Sequence, residues 1–154
     1  MKQTVSTVAL AASVVFASAL ASGQNPDRGE QIQNASCLGC HDLRPIQTQA
    51  LDKEGWTKMV ASMVERGADV KPDDAPVLVD YLAKNHGPLP DGAGKPILLN
   101  VCTVCHDLGR VRSQGRTRED WDDVLSTMLN EGAMLSETDY EVLLPYLARN
   151  FRPR

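Results

Sequence analysis

Apolar residues in this chain recur every three or four positions, and nowhere do they alternate in twos long enough to suggest a strand. Trp56, Met59, Val60 and Met63 share one helical face, and so do Trp121, Val124, Leu125 and Met128. Leu78, Tyr81 and Leu82 mark a further helix, as do Leu143, Tyr146 and Leu147. A shorter apolar helix is predicted from Lys95 to about Cys102, through Ile97, Leu98 and Val101. Start and stop signals frame these runs. Asn25-Pro26 reads as a cap followed by proline at the first helical position, opening a helix to Ala35. The tryptophan helices are predicted to begin near Glu54 and Thr117 and to stop at Gly67 and Gly132. The last pair starts at Pro72-Asp73-Asp74 and at Ser136-Glu137-Thr138-Asp139, the latter a capping-box pattern. Pro145 predicts a kink in the final helix. The predicted fold class is all-α.

A shift of 65 positions aligns the two halves without a gap. Cys37, Cys40, His41, Asp42 and Leu43 fall on Cys102, Cys105, His106, Asp107 and Leu108. Trp56 meets Trp121, Met63 meets Met128, Gly67-Ala68 meets Gly132-Ala133, and Tyr81-Leu82-Ala83 meets Tyr146-Leu147-Ala148. Such self-similarity predicts two tandem three-helix units. Their expected limits are 22–88 and 95–154, joined by a linker at 89–94 in a stretch rich in Gly and Pro.

Residues 1–21 read as a secretory signal peptide, with Lys2 as its positive start, an apolar run to Phe16 and a small-x-small site ending at Ala21. That run is shorter than the ~20 residues of a membrane span. No later stretch is long and apolar enough to cross a membrane, so the mature chain is expected to be soluble. Two units of about 65 residues are marginal without a staple, because small domains bury too little surface. The formal net charge of −4 gives no support to nucleic-acid binding and favours a partner with a basic docking patch. Aromatic residues make up only 5%, which fits cores completed by something other than side chains.

The candidate for that completion is Cys37-Leu38-Gly39-Cys40-His41 and its return as Cys102-Thr103-Val104-Cys105-His106. C-x-x-C-H is the attachment signature for c-type haem. Two thiols about one helical turn apart can form thioethers with the two vinyl groups of one porphyrin, and the following imidazole reaches the iron. The two motifs use all four cysteines and two of three histidines. They predict two covalent haems on Cys37, Cys40, Cys102 and Cys105, with His41 and His106 as proximal iron ligands. Other uses of the cysteines are a thioredoxin-like pair, a zinc site or two disulfides. The first wants a βαβ context, and the second a spacing of about 15–20 residues between pairs; here the second pair starts 62 positions after the first ends.

The opposite face of each iron is assigned from the repeat. Met63 and Met128 alone among the methionines recur in register, which makes them candidate axial ligands, against the ordinary role of methionine as core filler. His86 is the alternative ligand; its counterpart is Phe151, and it is expected to be a surface imidazole. Trp56 and Trp121 are candidate haem-edge contacts, with an indole N–H free for a propionate, or else plain core residues. Tyr81 and Tyr146 are expected to join the third helix of each unit to the first. Arg110, Arg112, Arg116 and Arg118 form a basic cluster where the first half has Pro45, Gln47, Leu51 and Lys53. It reads as a solvated loop, a neutraliser of propionates or a docking patch.

The order of haem motif, Trp, Met seven positions later, Gly-Ala and Tyr-Leu-Ala-x-Asn resembles a duplicated class I cytochrome c. It is most similar to the dihaem domain of the quinohaemoprotein amine dehydrogenase alpha subunit, and also to small cytochrome subunits of sulfite dehydrogenases. The resemblance implies haem attachment outside the cytoplasm, hence a periplasmic or secreted protein. It implies an electron carrier, not an enzyme by itself. The expected partners are a dehydrogenase donor and a cytochrome or oxidase acceptor. Alternative expectations are a subunit of such a dehydrogenase complex, a dihaem peroxidase or a gas-binding haem protein.

Overall fold

The computed structural model describes residues 27–154. The leader stretch and the Asn25-Pro26 start lie outside the described residues. Among those described there are eight α-helices, one 3-10 turn and no strand, so the fold is all-α. The first half contains α1 (Arg28–Cys37), α2 (Arg44–Gln47), α3 (Lys53–Glu65) and α4 (Ala75–Asn85). The second contains α5 (Gly94–Asn100), a 3-10 turn (Cys102–Val104), α6 (Gly109–Arg112), α7 (Arg118–Asn130) and α8 (Glu137–Asn150). None of these helices is long and apolar enough to cross a membrane.

Short polar side chains start four of the helices by accepting otherwise unpaired amides. Asp27 caps α1 by accepting the Gly29 N–H at 2.9 Å. Asp52 accepts the Gly55 N–H at 2.7 Å to start α3. The full capping box stands at Thr117: its hydroxyl accepts the Asp120 N–H, and the Asp120 carboxylate accepts the Thr117 N–H. At Ser136 the box is incomplete. The hydroxyl accepts the Asp139 N–H, but the Asp139 carboxylate accepts from that hydroxyl instead of from the backbone.

The tryptophan helices end as predicted. Gly67 and Gly132 have φ of 101° and 95°, a region open to glycine at little cost. Ala68 donates to the Met63 carbonyl and Gly67 to that of Val64; Ala133 donates to Met128 and Gly132 to Leu129. Both pairs form the Schellman arrangement, which places Met63 and Met128 at the third helical residue from the end.

The prediction of three helices per half is incomplete, because α2 and α6 were not anticipated. At four residues each they are too short for a periodic signal. They are nonetheless structural, since Ile46 and Val111 point into the cores. One core gathers Trp56, Val60, Leu78 and Leu82; the other gathers Leu98, Leu108, Trp121, Leu143 and Leu147. α4 packs against α1 and α3, and α8 against α5 and α7. Pro145 lies within α8, which continues through it to Asn150.

The stretch expected as a linker is built into the second core. Leu89 is buried there, and the Pro90 carbonyl accepts from the Tyr146 hydroxyl at 2.7 Å. The halves also touch directly. Leu108 N–H donates to the Gln47 carbonyl at 3.2 Å, and Arg112 Nη2 to that of Gly87 at 2.6 Å.

Tyr81 and Tyr146 join the helices as expected, and glycines make it possible. A Cβ placed on Gly29 would sit 2.1 Å from the Tyr81 Cβ, and one on Gly94 would sit 2.4 Å from the Tyr146 Cβ. Exchange of a helical glycine for alanine ordinarily gains about 1 kcal/mol. Overpacking costs about 1–3 kcal/mol, and here the clash is with an atom fixed to the opposing helix. The clash wins. Gly29→Ala and Gly94→Ala are each expected to lower stability by about 1–3 kcal/mol in denaturant unfolding. Gly39→Ala, whose added carbon meets nothing within 4 Å, serves as the control. Unchanged midpoints for the first two would refute the close crossing.

Candidate cofactor site

Each motif follows directly from the helix that a tyrosine pins. α1 delivers Cys37 at its end, and α5 is followed by the turn that starts at Cys102. The first cysteine of each pair is half-buried, Cys37 against one core and Cys102 against the other. Cys40 and Cys105 are exposed, and all four thiols are free, so the geometry contains no disulfide. Burial pushes the Cys37 thiol up. It pushes Cys102 up to about 11, with the neighbouring Cys105 adding to the effect. A dithiol oxidoreductase needs its attacking thiol lowered, the opposite direction from the shift at Cys37 and Cys102. Among the described residues no three His, Cys, Asp or Glu side chains are grouped as a metal ion would require.

The two histidines are oriented alike. His41 Nδ1 lies 2.6 Å from the Asp42 carbonyl oxygen, and His106 Nδ1 lies 2.9 Å from that of Asp107. A carbonyl can only accept, so in the neutral ring Nδ1 carries the proton and Nε2 keeps its lone pair. That is the state of an imidazole prepared to bind a metal. The aspartates hold the arrangement. The Asp42 carboxylate accepts the Arg44 N–H at 3.0 Å, and the Asp107 carboxylate accepts the Gly109 N–H at 2.7 Å. These contacts turn the chain just ahead of α2 and α6 and brace the segment whose carbonyl the imidazole uses. Sequence reasoning gave Asp42 and Asp107 no role, although their recurrence after each histidine was visible.

In the second half four of the five predicted residues meet in one cleft, and the exposed Cys105 is not among its lining residues. Cys102, His106 and Met128 line it together with the Trp121 ring, over a floor that includes Leu98, Leu125 and Leu147. The cleft has a cavity volume of about 220 Å³ and is open to solvent on one side. Arg110, Gln114 and Arg116 supply its polar side. Donor set, apolar floor and cationic groups fit a flat apolar macrocycle with a central metal and acidic substituents. Met63, on α3, is half-buried like Met128, and Met59 packs against the first core. The Schellman turns give the recurrence of both methionines a backbone role as well, because that motif favours an apolar residue at their position.

The tryptophans are core residues, at 1% and 2% exposure. The Trp56 indole N–H donates to the His86 carbonyl at 3.2 Å, and that of Trp121 to the Phe151 carbonyl at 2.9 Å. Neither N–H is left for a propionate, which corrects that part of the sequence reading. The Trp121 ring still lines the cleft.

The arginines are not simply a solvated loop. Arg112 is half-buried, and its Nε has no hydrogen-bond partner. Burial lowers its pKa. The Arg116 guanidinium lies 5.9 Å from the centre of the Trp121 ring and bonds the Gln114 amide oxygen. Comparison with protein-family models, with characterised proteins and with solved structures finds no match for the chain.

His86 is not the surface imidazole expected. It is half-buried at the end of α4, edge-on to Trp56 with ring centres 6.2 Å apart. Burial pushes its pKa below 6.5, the nearby Arg112 cation adds to this, and Asp107 opposes it. The folded state therefore prefers the neutral ring. Its contribution to stability is present above pH 6.5 and is lost as pH falls through the lowered folded value. His86→Phe, which copies the residue at 151, is expected to flatten the fall of stability as pH drops below 6.5 in denaturant titrations. An identical slope in both proteins would contradict this placement.

Proposed function

We propose that the chain is an exported dihaem c-type cytochrome that carries single electrons between a periplasmic dehydrogenase and a downstream acceptor. The observation that carries the reading is the pair of C-x-x-C-H motifs in which both histidines have Nδ1 committed and Nε2 free. The second of them shares a cleft with a methionine sulfur and an apolar floor. Two tandem cytochrome c-like units are part of this proposal. Contacts that recur 65 residues apart support it: glycine against tyrosine, indole to carbonyl, imidazole to carbonyl, and the turn after each tryptophan helix.

In this reading Cys37 and Cys40 hold one haem and Cys102 and Cys105 the other, each through two thioethers. Bound haem supplies reversible one-electron chemistry at its iron. The chain's own residues do the rest. His41 and His106 offer Nε2 as proximal ligands, and the Asp42 and Asp107 carbonyls fix ring orientation and raise ligand basicity. Met63 and Met128 would supply thioether sulfur as the second iron ligands, which would raise the potential and leave no open position for peroxide or a gas. Cores of this size gain stability from the added apolar plate. With all axial positions filled the protein is a carrier, and its partners are redox proteins of complementary charge. A periplasmic or secreted location follows from the proposed leader.

Met63→Ala and Met128→Ala, exported from a host with a cytochrome c maturation system, are each expected to lose half of the ferric sulfur-to-iron charge-transfer absorption. Each should also gain a CO-binding site at one haem. Full retention of that absorption in both variants would remove methionine ligation and revive a gas-binding or peroxidase role.

A further inference from the structure

The two motifs stand beside one another in different electrostatic surroundings. Arg44, three residues after His41, donates from Nη2 to the Val104 carbonyl inside the second motif at 2.5 Å. Arg110 and Arg116 line the cleft that holds Cys102, His106 and Met128, so the second motif has three guanidinium groups about it, of which Arg116 is half-buried and Arg44 and Arg110 are exposed and screened by water. Sixty-five residues earlier, Pro45 and Leu51 stand in place of Arg110 and Arg116. The first motif's own arginine is turned toward the second.

The interior differs in the opposite sense. Leu98 is buried in the floor of the second cleft, four residues before Cys102. Gln33 takes that place before Cys37; it is 4% exposed, and its Oε1 has no hydrogen-bond partner. Spacing of four puts each residue on the helical face of the cysteine it precedes. A buried amide oxygen without a donor presents the negative end of its dipole to its surroundings.

An oxidised iron carries one more positive charge than a reduced one. Cations nearby therefore favour the reduced form, and an amide oxygen favours the oxidised form; both act more strongly where water is excluded. Asp120 and Asp123 face the outer part of the Arg116 site and oppose its charge. Both are exposed, and Asp120 is engaged in the Thr117 cap, whereas Arg116 is half-buried against Trp121. Screening in water leaves the arginine dominant.

Resting on the two-haem reading, we propose that this asymmetry gives electron flow a direction: entry at the Cys37–His41 motif and exit at the Cys102–His106 motif. One electron leaves the first iron, which goes from ferrous to ferric, and reduces the second from ferric to ferrous. An external one-electron donor refills the first and an external one-electron acceptor empties the second. No atom or proton is transferred. Arg116 and Gln33 are positioning residues that set the two potentials.

The test is a spectroelectrochemical titration of the exported protein after its haems have been counted by intact mass. Wild type is expected to show two separate one-electron waves. Arg116→Gln should lower the upper wave alone, and Gln33→Leu should raise the lower wave alone. Two superimposed waves in wild type, or an effect of Arg116→Gln on the lower wave, or no effect of either variant on either wave, would overturn the direction while leaving two haems in place. A count below two haems would instead sink the cofactor reading, and the direction with it.

Discussion

The close crossing of glycine and tyrosine is the constraint on which the rest of the structure depends. Gly29 against Tyr81 and Gly94 against Tyr146 bring the first and last helices of each half within a distance that no side chain on the glycine would permit. Each cysteine pair begins at or just beyond the end of the glycine-bearing helix, so its position is set by that crossing. The tryptophan helix then packs on the same tyrosine-bearing helix and closes the core from the other side. The indole hydrogen bond to the carbonyl just beyond that helix fixes how the two meet. Thiol, imidazole and thioether are thereby held on separate elements that share one support.

Much of this was legible in the sequence, and what was not has physical reasons. The long helices follow from apolar periodicity, and the glycine stops follow from a backbone conformation that disfavours side chains. α2 and α6 escaped because four residues complete barely one turn. Their cause is an aspartate turn after the histidine, which is a local hydrogen bond with no periodic signature. The motifs named the cysteines and histidines outright. They could not say that both imidazoles would be held by the next carbonyl, since that depends on the path of the turn. The indole N–H groups were misjudged because their acceptors lie 30 residues away, at a helix end. His86 was misjudged because its burial arises from the meeting of the two halves, where Arg112 and Asp107 lie close by.

Individual contacts thus recur 65 residues apart, while the charges around them differ. Burial and hydrogen bonding recur in register, while the arginines collect about the second motif and a lone amide is buried beside the first. In the proposed reading, such a division would let one kind of unit serve two centres of different affinity for an electron. The apolar framework tolerates this because the differing residues lie at the edges of the cores, Gln33 excepted. Arg112 adds a cost of its own, a half-buried donor left unpaired where the halves meet.

The most direct test of the account is the intact mass of the protein secreted by a host that attaches haem to c-type cytochromes, with thiol alkylation on the same sample. The account predicts a chain carrying two haems and no thiol that can be alkylated. A chain without added mass, in which Cys37, Cys40, Cys102 and Cys105 all react, would contradict it.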